Sequence, residues 1–130
     1  MRCENWPVLL AEHLQNPPSF AWGENDCALW CGDWIRKATG DDFAADWQGR
    51  NSSKEEARAL LQSKGFVSYA RLADSLLLPK QIGFAQRGDI VLYPDRFAFG
   101  ICDGLYSFFL TENGLAHIET LRCLRAWKVA

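Results

Sequence analysis

Few residues in this 130-residue chain could do covalent chemistry: five cysteines and two histidines. The most informative segment is Phe20-Ala21-Trp22-Gly23-Glu24-Asn25-Asp26-Cys27-Ala28-Leu29-Trp30. It places Cys27 in the first turn of an aromatic-rich helix, where unpaired backbone amides and the helix dipole favour a thiolate over a thiol. A nucleophile is prepared in this way. The same residue also reads as a small apolar core member, since free cysteine is among the most buried residue types and Cys31, one turn on, extends the same stripe. A cysteine nucleophile needs a base within hydrogen-bond reach, normally a histidine held by a third polar group. His13 lies on an apolar helical stripe and reads as a core-edge residue. His117 lies on a strand and is the better placed of the two, although a lone strand histidine is usually structural.

Other chemistries find less support. Cys27 and Cys31 could present two sulfurs from one helical face, but that is not the paired short knuckle of structural zinc and no second pair follows, so no metal and no other cofactor is expected. Neither Gly23 nor Gly40 lies in a glycine-rich strand-to-helix turn, which removes nucleotide binding. The adjacent acidic pairs Asp41-Asp42 and Glu55-Glu56 point in different directions and read as solvated or capping groups. Six tryptophans exceed what a domain of this size needs. They suit either a tryptophan-rich core or a protein interface, for which Trp22, Trp30, Trp47 and Trp127 are the candidate anchors.

The elements that must position these residues fall into two halves. Trp6, Leu9, Leu10, His13 and Leu14 form the stripe of a short helix that Pro17 and Pro18 must end. Cys27, Trp30, Cys31, Trp34, Ile35 and Ala38 repeat with helical spacing; Asn25 or Asp26 can cap the start, and Gly40 stands where a left-handed stop is expected. A third helix is predicted from Ser53, with Glu56 completing a capping-box spacing, to Gly65. The period then changes. Ile90 to Tyr93 reads as a short buried strand closed by Pro94, and Phe97, Phe99 and Ile101 alternate with Ala98, Gly100 and Cys102. Asp103-Gly104 turns the chain into Leu105 to Leu110. Asn113-Gly114 signals a second hairpin, which as a two-residue turn sets Leu110 opposite His117 and returns the chain along Leu115 to Leu121. A last apolar piece is Ala126 to Val129. Helices first and an antiparallel meander second make an α+β layout: N-terminal helices packed on a small antiparallel sheet, in one domain spanning residues 1–130.

Composition bounds the rest. With 48% hydrophobic and 13% aromatic residues, the chain supports a core without metals or disulfides. Fourteen basic against sixteen acidic residues, spread along the chain, argue against nucleic acid as a partner. No apolar run approaches the roughly 18 residues of a membrane span. Met1 to Leu14 lacks the apolar core and cleavage site of a signal peptide, so synthesis in a reducing cytoplasm is expected.

Taken together, five segments resemble an uncharacterised family of small bacteriophage and prophage proteins, which is itself similar to the NlpC-type papain-like peptidases of bacterial cell walls. They are Trp22-Gly23-Glu24-Asn25-Asp26-Cys27 with the helix that follows, Phe84 to Val91, Phe99 to Gly104, Gly114-Leu115, and Arg125-Ala126-Trp127-Lys128-Val129. The resemblance implies a papain-like fold in which Cys27 matches the nucleophile and Asp26 precedes it. Ala98 falls where the NlpC-type enzymes place their histidine, and His117 lies one strand further on, so it would serve as base only in a rearranged active site. Two functions follow as expectations. One is a catalytically inactive structural or adaptor component of a phage tail tip or baseplate, made in the host bacterial cytoplasm, carried in the virion tail and contacting other tail proteins. The alternative is an active cysteine murein peptidase acting on peptidoglycan during DNA entry.

Overall fold

Asp26 fixes the start of the longest helix. Its side chain accepts a hydrogen bond from the Leu29 amide at 3.0 Å, which satisfies one of the orphan donors of the first turn. The helix, α2 (Cys27–Thr39), ends where Gly40 turns left-handed at φ +87°. In the computed structural model, which describes residues 1–130, α2 follows α1 (Trp6–Gln15) and precedes α3 (Lys54–Ser63) and α4 (Tyr69–Leu76). Ser53 caps α3 through the Glu56 amide at 3.1 Å, while the Glu56 carboxylate turns back to Ser52. Ser68 caps α4 through the Arg71 amide. No helix is long and apolar enough to cross a membrane.

Six strands form one antiparallel sheet in the order β1-β6-β2-β3-β4-β5. They are β1 (Leu78–Lys80), β2 (Ile90–Leu92), β3 (Phe99–Cys102), β4 (Tyr106–Thr111), β5 (Gly114–Glu119) and β6 (Ala126–Lys128). From β2 to β5 the sheet is the expected meander. The terminal β6 then inserts between β2 and β1, an insertion that local sequence signals do not reveal. The hairpin between β4 and β5 also departs from expectation. Glu112 and Asn113 make the turn, Gly114 opens β5 at φ +104°, and Thr111 pairs with Gly114. His117 therefore lies opposite Phe108, not Leu110.

Side chains alternate between the two faces of the sheet. Ile90, Leu92, Phe99, Ile101, Leu110 and Trp127 face the helices and join Leu10, Trp30, Trp34, Ile35, Ala38, Leu61 and Leu72 in the main core. Every residue of the predicted α2 stripe is buried. Fully burying a large apolar side chain contributes about 1.5–3 kcal/mol, so this face dominates the stability of the fold. The opposite face carries Val91, Cys102, Phe109 and Ala126, covered by Cys123, Ile82, Ala85 and Ala98. All five cysteines are free thiols.

Candidate functional site

Both carboxylate oxygens of Asp26 are engaged, one by the Leu29 amide and one by the Gly23 amide, each at 3.0 Å. The loop before α2 is thereby pinned to the helix start, and Cys27 follows as the first helical residue. Its surroundings decide its chemistry. Burial pushes the Cys27 thiol up to about 12; a backbone hydrogen bond from Phe99 and the amides of the first turn pull it down, and the Asp26 charge pushes it further up. Desolvation outweighs the helix start. Burial thus opposes the thiolate that the helix start favours. Cys31, buried beneath it, is likewise pushed up by burial and by the neighbouring Cys27.

Neither histidine is among the groups that surround Cys27. His13 is buried between α1 and α2, its Nε2 lying 3.0 Å from the Trp30 carbonyl and its Nδ1 3.1 Å from Lys37 Nζ. Burial, then the Lys37 charge, lowers its pKa to about 4. The ring is therefore neutral: Nε2–H donates to Trp30 and Nδ1 accepts from the lysine ammonium. His117 is exposed on β5, with its ring against Tyr106 at 5.3 Å and Phe108 at 5.6 Å. Phe99, beside the Cys27 sulfur, belongs to β3. His117 lies two strands away in the row of Ile101 and Phe108. With strands about 4.8 Å apart and about 3.4 Å per residue, the two backbone positions are separated by about 12 Å, with Phe108 on the strand between. Direct proton transfer requires hydrogen-bond reach.

Ala98 lies immediately before β3. It packs on the face of the sheet away from the helices, whereas Phe99 faces the helices, its backbone amide beside the Cys27 thiol. Phe99 and Cys27 also line the same cavity. Tyr69 completes the surroundings, edge-on to Phe99 at 5.3 Å, with burial and the nearby Cys27 holding its hydroxyl pKa up at about 12.

The tryptophans divide. Trp127 is fully buried and Trp30 is 3% exposed, so both are core residues and cannot anchor an interface on this surface. Trp22 and Trp47 are half-buried: Trp22 donates to Glu112 at 3.2 Å, and Lys64 lies over the Trp47 ring at 5.0 Å. Together with Phe43, Tyr69 and Phe99, Trp22 and Trp47 line a cavity of about 90 Å³ that has Cys27 in its wall. Sequence reasoning missed this cavity, because two of its walls are the 43–51 loop and α4. No three His, Cys, Asp or Glu side chains are gathered so as to hold a metal ion.

Fold and site define an α+β protein with four helices on a six-stranded antiparallel sheet and a buried cysteine opening its central helix. The chain belongs to the family described as Domain of unknown function (DUF6950), which matches residues 1–129. No curated protein and no solved structure matches it.

Proposed function

We propose that this protein is a non-hydrolytic structural or adaptor subunit of a bacteriophage tail tip or baseplate, built on a degenerate NlpC-type, papain-like fold. One observation carries the loss of hydrolysis: Cys27 is a buried thiol at about 12, walled by Phe99 and Tyr69, with neither imidazole against it. The papain-like reading is supported by an Asp-Cys pair opening the helix that packs on β3. The tail assignment rests on the sequence resemblance. Folds outlive their chemistry, and a domain that keeps the scaffold without the base serves as a binding module. The protein would be made in the host cytoplasm and carried in the virion tail.

The test is alkylation of Cys27 against pH, read by peptide mass spectrometry, alongside digestion of peptidoglycan and assembly of particles carrying Cys27→Ala. Native Cys27 is expected to stay unlabelled at neutral pH, no muropeptides are released, and the Cys27→Ala protein enters tails as the parent does. A reactive Cys27 together with muropeptide release that Cys27→Ala abolishes would establish the murein peptidase instead. Absence of the protein from purified tails would remove the adaptor role.

A further inference from the structure

We infer that β5 is a dimerisation edge, pairing antiparallel with β5 of a second copy of this chain and so joining two six-stranded sheets into one. The sheet ends in two unlike edges. β1 is three residues long with Pro79 at its centre, and both features discourage further pairing. β5 is six residues long, Gly114-Leu115-Ala116-His117-Ile118-Glu119, with no proline and no lysine, and it pairs with β4 residue for residue without a bulge. None of its residues is buried, and β4 is the only element with which it makes more than passing contact. Such an edge is a template for another strand.

The open backbone groups follow from the register. Thr111 and Gly114 face each other across the two-residue turn and close it as a hydrogen-bonded pair. At the other end the Thr120 amide donates to the Leu105 carbonyl at 2.8 Å. Between them, every second residue, Ala116 and Ile118, turns its N–H and C=O to β4. Leu115, His117 and Glu119 therefore point theirs outward, and no loop hydrogen-bonds to them.

The side chains of the strand select its own copy as occupant. Residues opposite each other in an antiparallel ladder share a face of the sheet, so a two-fold pairing is centred on a residue. Centred on Ile118, it sets His117 of each copy opposite Glu119 of the other, an imidazole N–H beside a carboxylate, twice by symmetry. It also brings the half-buried Leu115 towards Leu121 of the second copy, which lies just beyond the strand and is 70% exposed. Centring on His117 would set Leu115 against Glu119, and centring on Ala116 would set it against His117. A formal net charge of -2 per chain opposes association little. The pairing uses neither Cys27 nor the tail assignment.

Sedimentation equilibrium of the full chain between about 1 µM and about 500 µM is expected to show one chain passing to two. Over the same range, hydrogen exchange should slow by about tenfold or more at the His117 and Glu119 amides, and less at Ala116 and Ile118, which β4 already holds. His117→Pro removes an outward N–H that β4 does not use and is expected to give a folded monomer throughout. Register is read in a Cys3→Ser background. Ile118→Cys should form an intermolecular disulfide on mild oxidation, because the pair at the axis brings its Cα atoms to about 4.5 Å. Ala116→Cys should not, since the two 116 positions lie about 14 Å apart. A wild-type chain that stays single up to about 500 µM overturns the inference, as does a dimer that persists in folded His117→Pro or a disulfide formed by Ala116→Cys in place of Ile118→Cys. Should His117→Pro not fold, wild-type sedimentation and the exchange of the His117 amide decide.

Discussion

His13 Nε2 lies 3.0 Å from the carbonyl oxygen of Trp30 and, in the neutral ring, donates to it, joining α1 to the second turn of α2. The two rings also stack at 5.0 Å. Lys37 at 3.1 Å and Arg36 oppose protonation of the imidazole, and Asp33, 4.0 Å away, only partly offsets them. The native pKa of about 4 lies below the ordinary 6.5, so between those values the unfolded chain binds a proton that the native state does not. Stability contributed by neutral His13 is complete above about pH 6.5 and is lost as pH falls towards 4. Over that window His13 should contribute on the order of 2–3 kcal/mol of the decline. Urea unfolding at pH 7 and pH 4.5 measures it: the drop is expected to be clearly smaller in His13→Gln, and an equal drop would refute a neutral buried imidazole.

Asp89, the residue before β2, is fully buried and gathers both ends of the chain. Lys80 reaches it at 2.6 Å and Arg2 at 3.1 Å, while the amides of Gln86 and Val129 donate to its two oxygens. Arg2 in turn holds the Val129 carbonyl at 2.6 Å. Asp89→Asn keeps the shape but leaves two largely buried cations without their counter-ion. Breaking such a cluster by removing one partner costs about 3–5 kcal/mol, and salt screens it little because water is excluded. The urea midpoint should fall accordingly at both low and high ionic strength. A fall that disappears in high salt would mean that the cluster is solvated.

How much of this was legible in the sequence varied with how local its cause was. The α2 stripe and its caps could be read because residues three and four apart, Asp26 and Gly40 carry that information themselves. The period-two alternation of β3 was equally plain. The hairpin between β4 and β5 was visible as a turn but misregistered, since Asn113-Gly114 suggested a primed two-residue turn while the positive φ falls on Gly114 alone. The eight-residue α4 was overlooked: its buried Leu72 and Ala73 lead into an exposed leucine run. So was β1, three residues with a proline, which exists only because the distant β6 pairs with it. For the candidate site, the closeness of β3 to Cys27 is a tertiary contact that no local spacing carries. Which face of that strand pointed inward, and therefore Phe99 in place of Ala98, depended on tertiary packing. The burial that raises the thiol is likewise tertiary.

Gly100 on β3 is needed for closeness and not for backbone freedom. A methyl group there would run into the Phe109 ring and meet the Phe108 carbonyl at 2.6 Å. The ring is 4% exposed and packed among Val91, Cys102, Cys123 and Ala126, so it cannot step aside, and the carbonyl belongs to the neighbouring strand. Overpacking of this kind costs typically about 1–3 kcal/mol, and backbone contact places Gly100→Ala at the upper end. Thermal unfolding should show a Tm lower by roughly 10 °C or more for a domain of this length. A Tm within about two degrees of the parent would mean that β3 and β4 are less tightly joined than the structure has them.

The cysteines provide the most direct reading of the site, because a thiol reports its own surroundings. Cys3 is the one cysteine that is not buried, while Cys27, Cys31, Cys102 and Cys123 lie inside. Alkylation proceeds through the thiolate, whose fraction at pH 8 is negligible for a group held near 12. Cys3 is therefore expected to be labelled first. Cys27 should follow only through transient opening and reclosing of the protein, with a rate that rises with urea and shows no plateau below pH 9. Cys27→Ala should then cost no more than about 1–2 kcal/mol, the loss of one small apolar contact beside an existing cavity, and should leave the labelling of Cys3 unchanged. Rapid modification of native Cys27 at neutral pH would show instead that Phe99 and Tyr69 move away from the sulfur, and that the start of α2 governs its chemistry after all.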